Sequence, residues 1–169
     1  MAGFAWQGGA GTTAQVSTIT LGGTWADDGT ACTTTLTDEN GDTHTVVTVP
    51  SGSDKDAIAL AHQVALAAST NVEFLKVTWT VSGAVITGTA KNAGVPFYIG
   101  FVEDDSTGTE TVATSTTSAG PNDFNTDANW VGGTAPASGT NDLFCLEGSY
   151  SILYGLQQAH IVCRNRYLP

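Results

Sequence analysis

Apolar residues recur every three or four positions in only one segment of this chain, residues 54–69, and alternate with polar residues on either side of it. Within that segment Ala57, Leu60, Ala61, Val64 and Ala68 fall on one helical face, which predicts an amphipathic helix of about four turns. Ser53 fits its N-cap. Asp56, three residues on, makes a weakened capping box, and Asp54 sits favourably near the positive end of the helix. Immediately afterwards Leu75, Val77, Trp79 and Val81 point one way and Lys76, Thr78 and Thr80 the other, which is the period of a strand.

Turn chemistry orders the strands. The run Val16 to Leu21 is closed by Gly22-Gly23, and Ala31 to Thr37 runs into Asp38-Glu39-Asn40-Gly41. Asn-Gly supplies the positive φ angles of a type I′ turn, so Asp42 to Val49 returns as the second arm of a hairpin, broken by Pro50-Ser51-Gly52. After the helix, Ser82-Gly83 turns into Val85 to Ala90, and Lys91-Asn92-Ala93-Gly94 turns into Val95 to Val102. Thr107 to Thr117 supplies one more strand. This order predicts an α+β chain, mostly β, in which a mainly antiparallel sheet is covered by one helix. Residues 1–13, rich in Gly and Ala, read as a flexible arm, and residues 14–118 as the sandwich domain. Composition shifts at Gly120-Pro121, and residues 119–169 read as a Trp/Gly/Pro-rich, β-rich extension with short strands near Asp142–Glu147 and Tyr150–Tyr154.

Charged residues are 12% of the chain, about half the share usual in soluble proteins. Surface polarity therefore comes from Thr, Ser, Asn and Gln, and sheet edges are open to pairing with neighbours. The net charge of -11 disfavours contact with nucleic-acid phosphates, which bind through Lys and Arg. Acidic residues stop at Glu147, whereas Arg164 and Arg166 give the last residues a cationic character, which reads as a frayed end or, alternatively, as a tail that docks on an acidic neighbour. Met-Ala-Gly-Phe-Ala-Trp has neither the charged nor the apolar region of a signal peptide. No run reaches the ~18 apolar residues of a membrane span, so no membrane partner is expected. Cys32, Cys145 and Cys163 are odd in number and form no Cys-x-x-Cys pair, so reduced thiols are expected, with neither a disulfide framework nor a zinc site.

No group of residues carries chemistry, and neither an enzyme nor a cofactor is expected. Asp38-x-Asn40-x-Asp42 has the oxygen spacing of a calcium loop, but an EF-hand register would need Gly and Glu where Thr43 and Val49 stand, so no metal is assigned. Glu103-Asp104-Asp105 reads as a solvated loop after a strand end, not as a paired-carboxylate acid–base site. Gly8-Gly9-Ala10-Gly11-Thr12-Thr13 has the glycines of a phosphate loop without its lysine or its preceding strand. His44, His62 and His160 have no nucleophile signature beside them and read as structural. Trp25, Trp79, Trp130 and Tyr98 would suit a sugar-binding platform, although Trp79 fits a core-facing strand position.

From Leu36 through Val102 the chain resembles a module of phage virion proteins, including domains inserted in contractile-tail sheaths. The features in common are a hairpin with a polar Gly turn, an Ala-rich helix, and a strand pair ending in Thr89-Ala90-Lys91-Asn92-Ala93-Gly94 before Val95-Pro96-Phe97. Ala128-Asn129-Trp130-Val131-Gly132-Gly133-Thr134-Ala135-Pro136 is similar to the Asn-Trp-x-Gly-Gly-x-x-Pro lead-in of large β-helical surface proteins. Stacked coils need several repeats to bury a core, and residues 137–169 do not supply them, so an attachment portion is expected rather than a fibre body. The resemblance implies a virion structural protein made in the host cytoplasm, an accessory capsid-decorating or tail-associated component contacting other virion proteins. A homo-oligomer follows, a trimer being favoured. The alternative is a carbohydrate- or cell-surface-binding adhesion module. The expected subunit contacts are Phe4 and Trp6, buried in a neighbour, together with Trp130, Tyr150, Tyr154, Arg164 and Arg166.

Overall fold

A computed structural model describes residues 3–25, 29, 31–37, 41–104, 107–136 and 143–145. In chain order the elements are β1 (Gly3–Ala5), β2 (Val16–Gly23), β3 (Cys32–Thr37), β4 (Thr43–Thr48), α1 (Lys55–Ala68), α2 (Val72–Leu75), β5 (Val77–Ser82), β6 (Val85–Ala90), β7 (Tyr98–Glu103), β8 (Gly108–Thr116) and β9 (Leu143–Cys145). The chain is α+β and mostly β, with antiparallel sheets and one main helix. Seven of these strands divide between a four-stranded sheet ordered β5-β6-β2-β8 and a three-stranded sheet ordered β4-β3-β7, and β1 and β9 form a two-stranded sheet of their own. The β3–β4 hairpin pairs Thr37 with Thr43, and Gly41 has the positive φ, 87°, that its turn chemistry predicts.

The two sheets bury their inner faces against each other. Ile19 and Leu21 of β2, Ile86 of β6, Trp79 of β5, Leu36 of β3 and Phe101 of β7 meet in one core. Trp25 is buried just after β2, its indole N–H donating to the Gly22 carbonyl at 2.7 Å. Gly88 makes the packing over Trp79 possible, because a Cβ there would come within 2.9 Å of the indole. Fully buried Gln15 acts as an extra rung between the sheets. Its Nε2 donates to the Phe97 carbonyl at 2.7 Å, and its Oε1 accepts from the Phe97 N–H at 3.1 Å. A polar side chain is tolerated there because it satisfies both backbone groups of one residue.

α1 forms a third wall, packed on β5 and β6 of one sheet and β4 of the other. Its cap and its buried face both differ from the sequence expectation. Asp54, not Ser53, is the N-cap, and its carboxylate accepts the Asp56 N–H at 3.1 Å. The buried face is Ile58, Ala59, His62 and Leu66, while Leu60 and Val64 are 52% and 56% exposed. The helix is apolar on both sides, so periodicity alone cannot select the inner one. The selection is made by His62 and Gln63, which reach hydrogen-bond partners on the two sheets. Leu75 closes the short helix α2 instead of opening the strand, which begins at Val77.

Candidate functional site

Three of the aromatic residues expected at subunit contacts, Phe4, Trp6 and Trp130, meet within one chain. β1 pairs in parallel with β9, and Trp6 bridges to Trp130. Trp130 is fully buried and clasped edge-to-face by Trp6 and Phe124, each with ring centroids 5.1 Å away, and by Phe4 at 6.0 Å. Its indole N–H donates to the Phe124 carbonyl at 2.8 Å. Phe4 and Trp6 thus pack on apolar surface of the same chain, within residues 124–135.

Asn129 explains why this cluster holds. Its Nδ2 donates to the carbonyls of Gly120 at 2.6 Å and Asp123 at 2.7 Å, and its Oδ1 accepts the Ala10 N–H at 2.9 Å. Its backbone carbonyl accepts from Gln7 at 2.8 Å and Gly8 at 3.3 Å. One side chain thus joins three stretches of chain, and all of its amide hydrogen-bonding groups are used. Asp123 and Asp127 act locally, accepting from Thr126 and from the Ala135 N–H respectively. Gly132 and Gly133 take positive φ, 97° and 68°, and turn the chain back beneath Trp130.

The segment expected as an arm and the segment expected as an extension accordingly share one small core. The sandwich leaves and re-enters this unit at a single point. Thr13 N–H donates to the Ala119 carbonyl at 2.7 Å, the Ala119 N–H returns to Thr13 at 3.3 Å, and Gly94 donates to Thr13 at 3.0 Å. Gly120 lies so close that a Cβ there would come within 2.9 Å of the Gly94 Cα. Adjacent ends are the geometry of an inserted domain. Tyr150, Tyr154, Arg164 and Arg166 lie outside the described residues.

Among the described residues the candidate chemical groups do not converge. The ring of His62 bonds Thr34 and Thr48, whereas His44 meets the Asn71 side chain at 3.1 Å, and His160 is outside the described residues. Asp104 accepts the Ala31 N–H at 2.6 Å, which ties down a loop. Among the described residues no three His, Cys, Asp or Glu side chains are grouped to hold a metal ion. A cleft of about 30 Å³ lies between Leu36, Lys76, Val77 and Phe97, space for about one water. Trp25, Trp79 and Trp130 are buried and only Tyr98 of the four platform candidates is exposed, so no sugar-stacking surface forms from them. Among the described residues no helix is long and apolar enough to cross a membrane.

Cys32 is fully buried, and burial, reinforced by Glu103 and Asp104, pushes its thiol up to about 12. Only the thiolate is nucleophilic, so Cys32 should stay unmodified by iodoacetamide at about pH 8 and react after denaturation, as read by peptide mass spectrometry. Rapid labelling of the folded protein would contradict this placement.

What remains is surface, and two of its faces are unusual. On the outer side of the four-stranded sheet, register sets Thr80, Thr87, Thr18 and Ala113 in one row. The flanking rows are Thr78, Thr89, Val16 and Thr116, and Ser82, Val85, Thr20 and Thr111. On the three-stranded sheet the outer rows are Val47, Thr33 and Val102, then Thr45, Thr35 and Gly100, then Thr43, Thr37 and Tyr98.

Among the described residues neither face holds a charged side chain. The described carboxylates and ammonium groups lie in turns, in the helices, or at inward strand positions such as Glu103 and Glu110. No protein-family profile matches the chain, and no curated protein or solved structure matches it. The candidate site is therefore defined by its geometry alone, as two sheet faces whose described outward side chains carry no charge. Sequence reasoning passed over these faces because it read the alternating threonines only as a strand signal. The absence of charge at every outward position was there to be found.

Proposed function

We propose that this chain is a virion structural protein, an accessory component on a capsid or tail, and that it acts through contacts between subunits. The observation that carries this reading is the pair of charge-free sheet faces on a chain of net charge -11. Net charge of this size keeps copies apart wherever ionised groups meet. A face without ions lets another acidic subunit approach with no charge to desolvate. Threonine and valine are stiff at χ1, so ordering them at an interface costs little rotamer entropy. A closed homo-oligomer, a trimer first, fits such a surface.

Light scattering on the purified protein at micromolar concentration should report the oligomer, and purified particles should contain the protein as a stoichiometric band. Thr18→Glu, on the four-stranded face, and Thr35→Glu, on the three-stranded face, place a carboxylate at the centre of each. The variant on the contacting face should weaken assembly at least about tenfold while changing folding stability by no more than about 1 kcal/mol. A monomer at every concentration that is also missing from particles would remove this reading, and selective binding on a glycan array would favour an adhesion module.

A further inference from the structure

His62 is an ionisable side chain that ties three elements together. It is fully buried on α1. Its Nε2 lies 2.7 Å from the Thr34 hydroxyl on β3, and its Nδ1 lies 2.6 Å from the Thr48 hydroxyl on β4. The ring meets Phe101 of β7 edge-on, with centroids 5.5 Å apart. One residue further along, Gln63 donates to the Trp79 carbonyl of β5 at 2.9 Å, so adjacent side chains hold the helix to both sheets.

We propose that acid opens this protein at α1, with the His62 imidazole as the latch that holds the helix across the two sheets at neutral pH.

A neutral imidazole has one N–H and one lone pair, so it donates to one threonine hydroxyl and accepts from the other. Protonation turns both nitrogens into donors. The hydroxyl that had donated turns its hydrogen away and accepts instead, so both contacts can persist, and the cost is the cation left in a dry core. The titratable groups nearest on the packed elements do not neutralise it. Cys32 of β3 keeps its proton, and Glu103 of β7 lies opposite Cys32, two residues along the strand from Phe101. His44 of β4 interacts with Asn71, and Lys55 and Asp56 are in the first turn of α1 itself. β5 and β6 present Val77, Trp79, Ile86 and Ala90 to the core, none of which titrates.

Burial holds the imidazole down to about 4, against an ordinary 6.5. A released helix returns the ring to its ordinary affinity, so the open form binds more protons between these two values. The closed form is fully favoured above about pH 6.5 and loses ground as pH falls toward 4. What acid releases is a helix apolar on both faces, since Leu60 and Val64 already point outward.

Hydrogen exchange read by mass spectrometry on the full chain tests the latch. Corrected for intrinsic rates, protection across residues 55–68 should fall roughly 70-fold between about pH 7.5 and pH 4.5, as linkage requires, while the β2, β3 and β6 peptides stay protected. His62→Gln, which keeps a hydroxyl partner but cannot protonate, should show no such fall. A double variant, His44→Gln with His160→Gln, leaves a single imidazole, whose NMR signal should titrate together with the loss of helix protection. That measurement decides the matter even if His62→Gln folds poorly. Three results would overturn the proposal: an imidazole that titrates near its ordinary value with the helix still protected, equal acid loss in His62→Gln, or loss of protection in sheets and helix together.

Discussion

Trp130→Ala should cost about 3–5 kcal/mol, with the loss confined to the small unit built from residues 3–12 and 119–136. The indole is the centre of that unit. It touches Phe4, Trp6 and Phe124 edge-to-face, and its N–H is bonded to the Phe124 carbonyl, so truncation opens a cavity and orphans an acceptor. The surrounding rings cannot close the gap, because they are anchored on two separate stretches of backbone, Phe4 and Trp6 on one and Phe124 on the other. The sandwich should be indifferent, since its core of Ile19, Leu36, Ile86 and Phe101 shares no side chain with the cluster. The paired backbone of Thr13 and Ala119 would still hold its two ends together. Hydrogen exchange separates the outcomes. Protection lost at residues 5–10 and 129–131 with the β2 and β6 peptides unchanged is the expected pattern, and loss spread through the sandwich would show that the two cores fold as one.

How much of this was visible in the sequence depended on how far apart the interacting residues lie. The β3–β4 hairpin, the single helix and the β5–β6 pair all rest on local signals, such as Asn40-Gly41, Ser82-Gly83 and a change of apolar period, and all are present. The buried face of α1 was not legible. Its apolar residues run round the whole helix, and the deciding contacts lie on strands on both sides of it, such as Thr34 and Trp79. The small unit was illegible for a stronger reason. Ala10 and Asn129 are 119 positions apart, and no local pattern reports a hydrogen bond between them. Phe4 and Trp6 did signal a need for burial, and residues 124–135 of the same chain supply apolar surface for it. The charge-free faces were available in principle. Reading them required the strand register, because outward threonines matter as a surface only once neighbouring strands place them in rows.

Asn129→Asp should be more damaging than Asn129→Ala, although it is the smaller change in shape. Alanine leaves the Ala10 N–H and the carbonyls of Gly120 and Asp123 without their partner, at about 3 kcal/mol in total. Aspartate can still accept from Ala10, but it puts a carboxylate oxygen where the amide nitrogen had stood, 2.6 and 2.7 Å from two carbonyl oxygens. A buried charge facing acceptors raises the cost to about 5 kcal/mol. The introduced carboxyl can relieve this by keeping its proton, which lets it donate to one of the two carbonyls. Its folded-state pKa must then lie above the unfolded value of about 3.9, so the folded variant binds more protons and its deficit widens as pH rises. Urea unfolding followed by exchange in residues 119–131, at about pH 4.5 and about pH 7.5, should show the Asn129→Asp deficit growing with pH and the Asn129→Ala deficit unchanged. If the two variants lose equal stability at both pH values, the Asn129 amide is not the donor that joins Gly120 and Asp123, and the small unit is held by its aromatic rings alone.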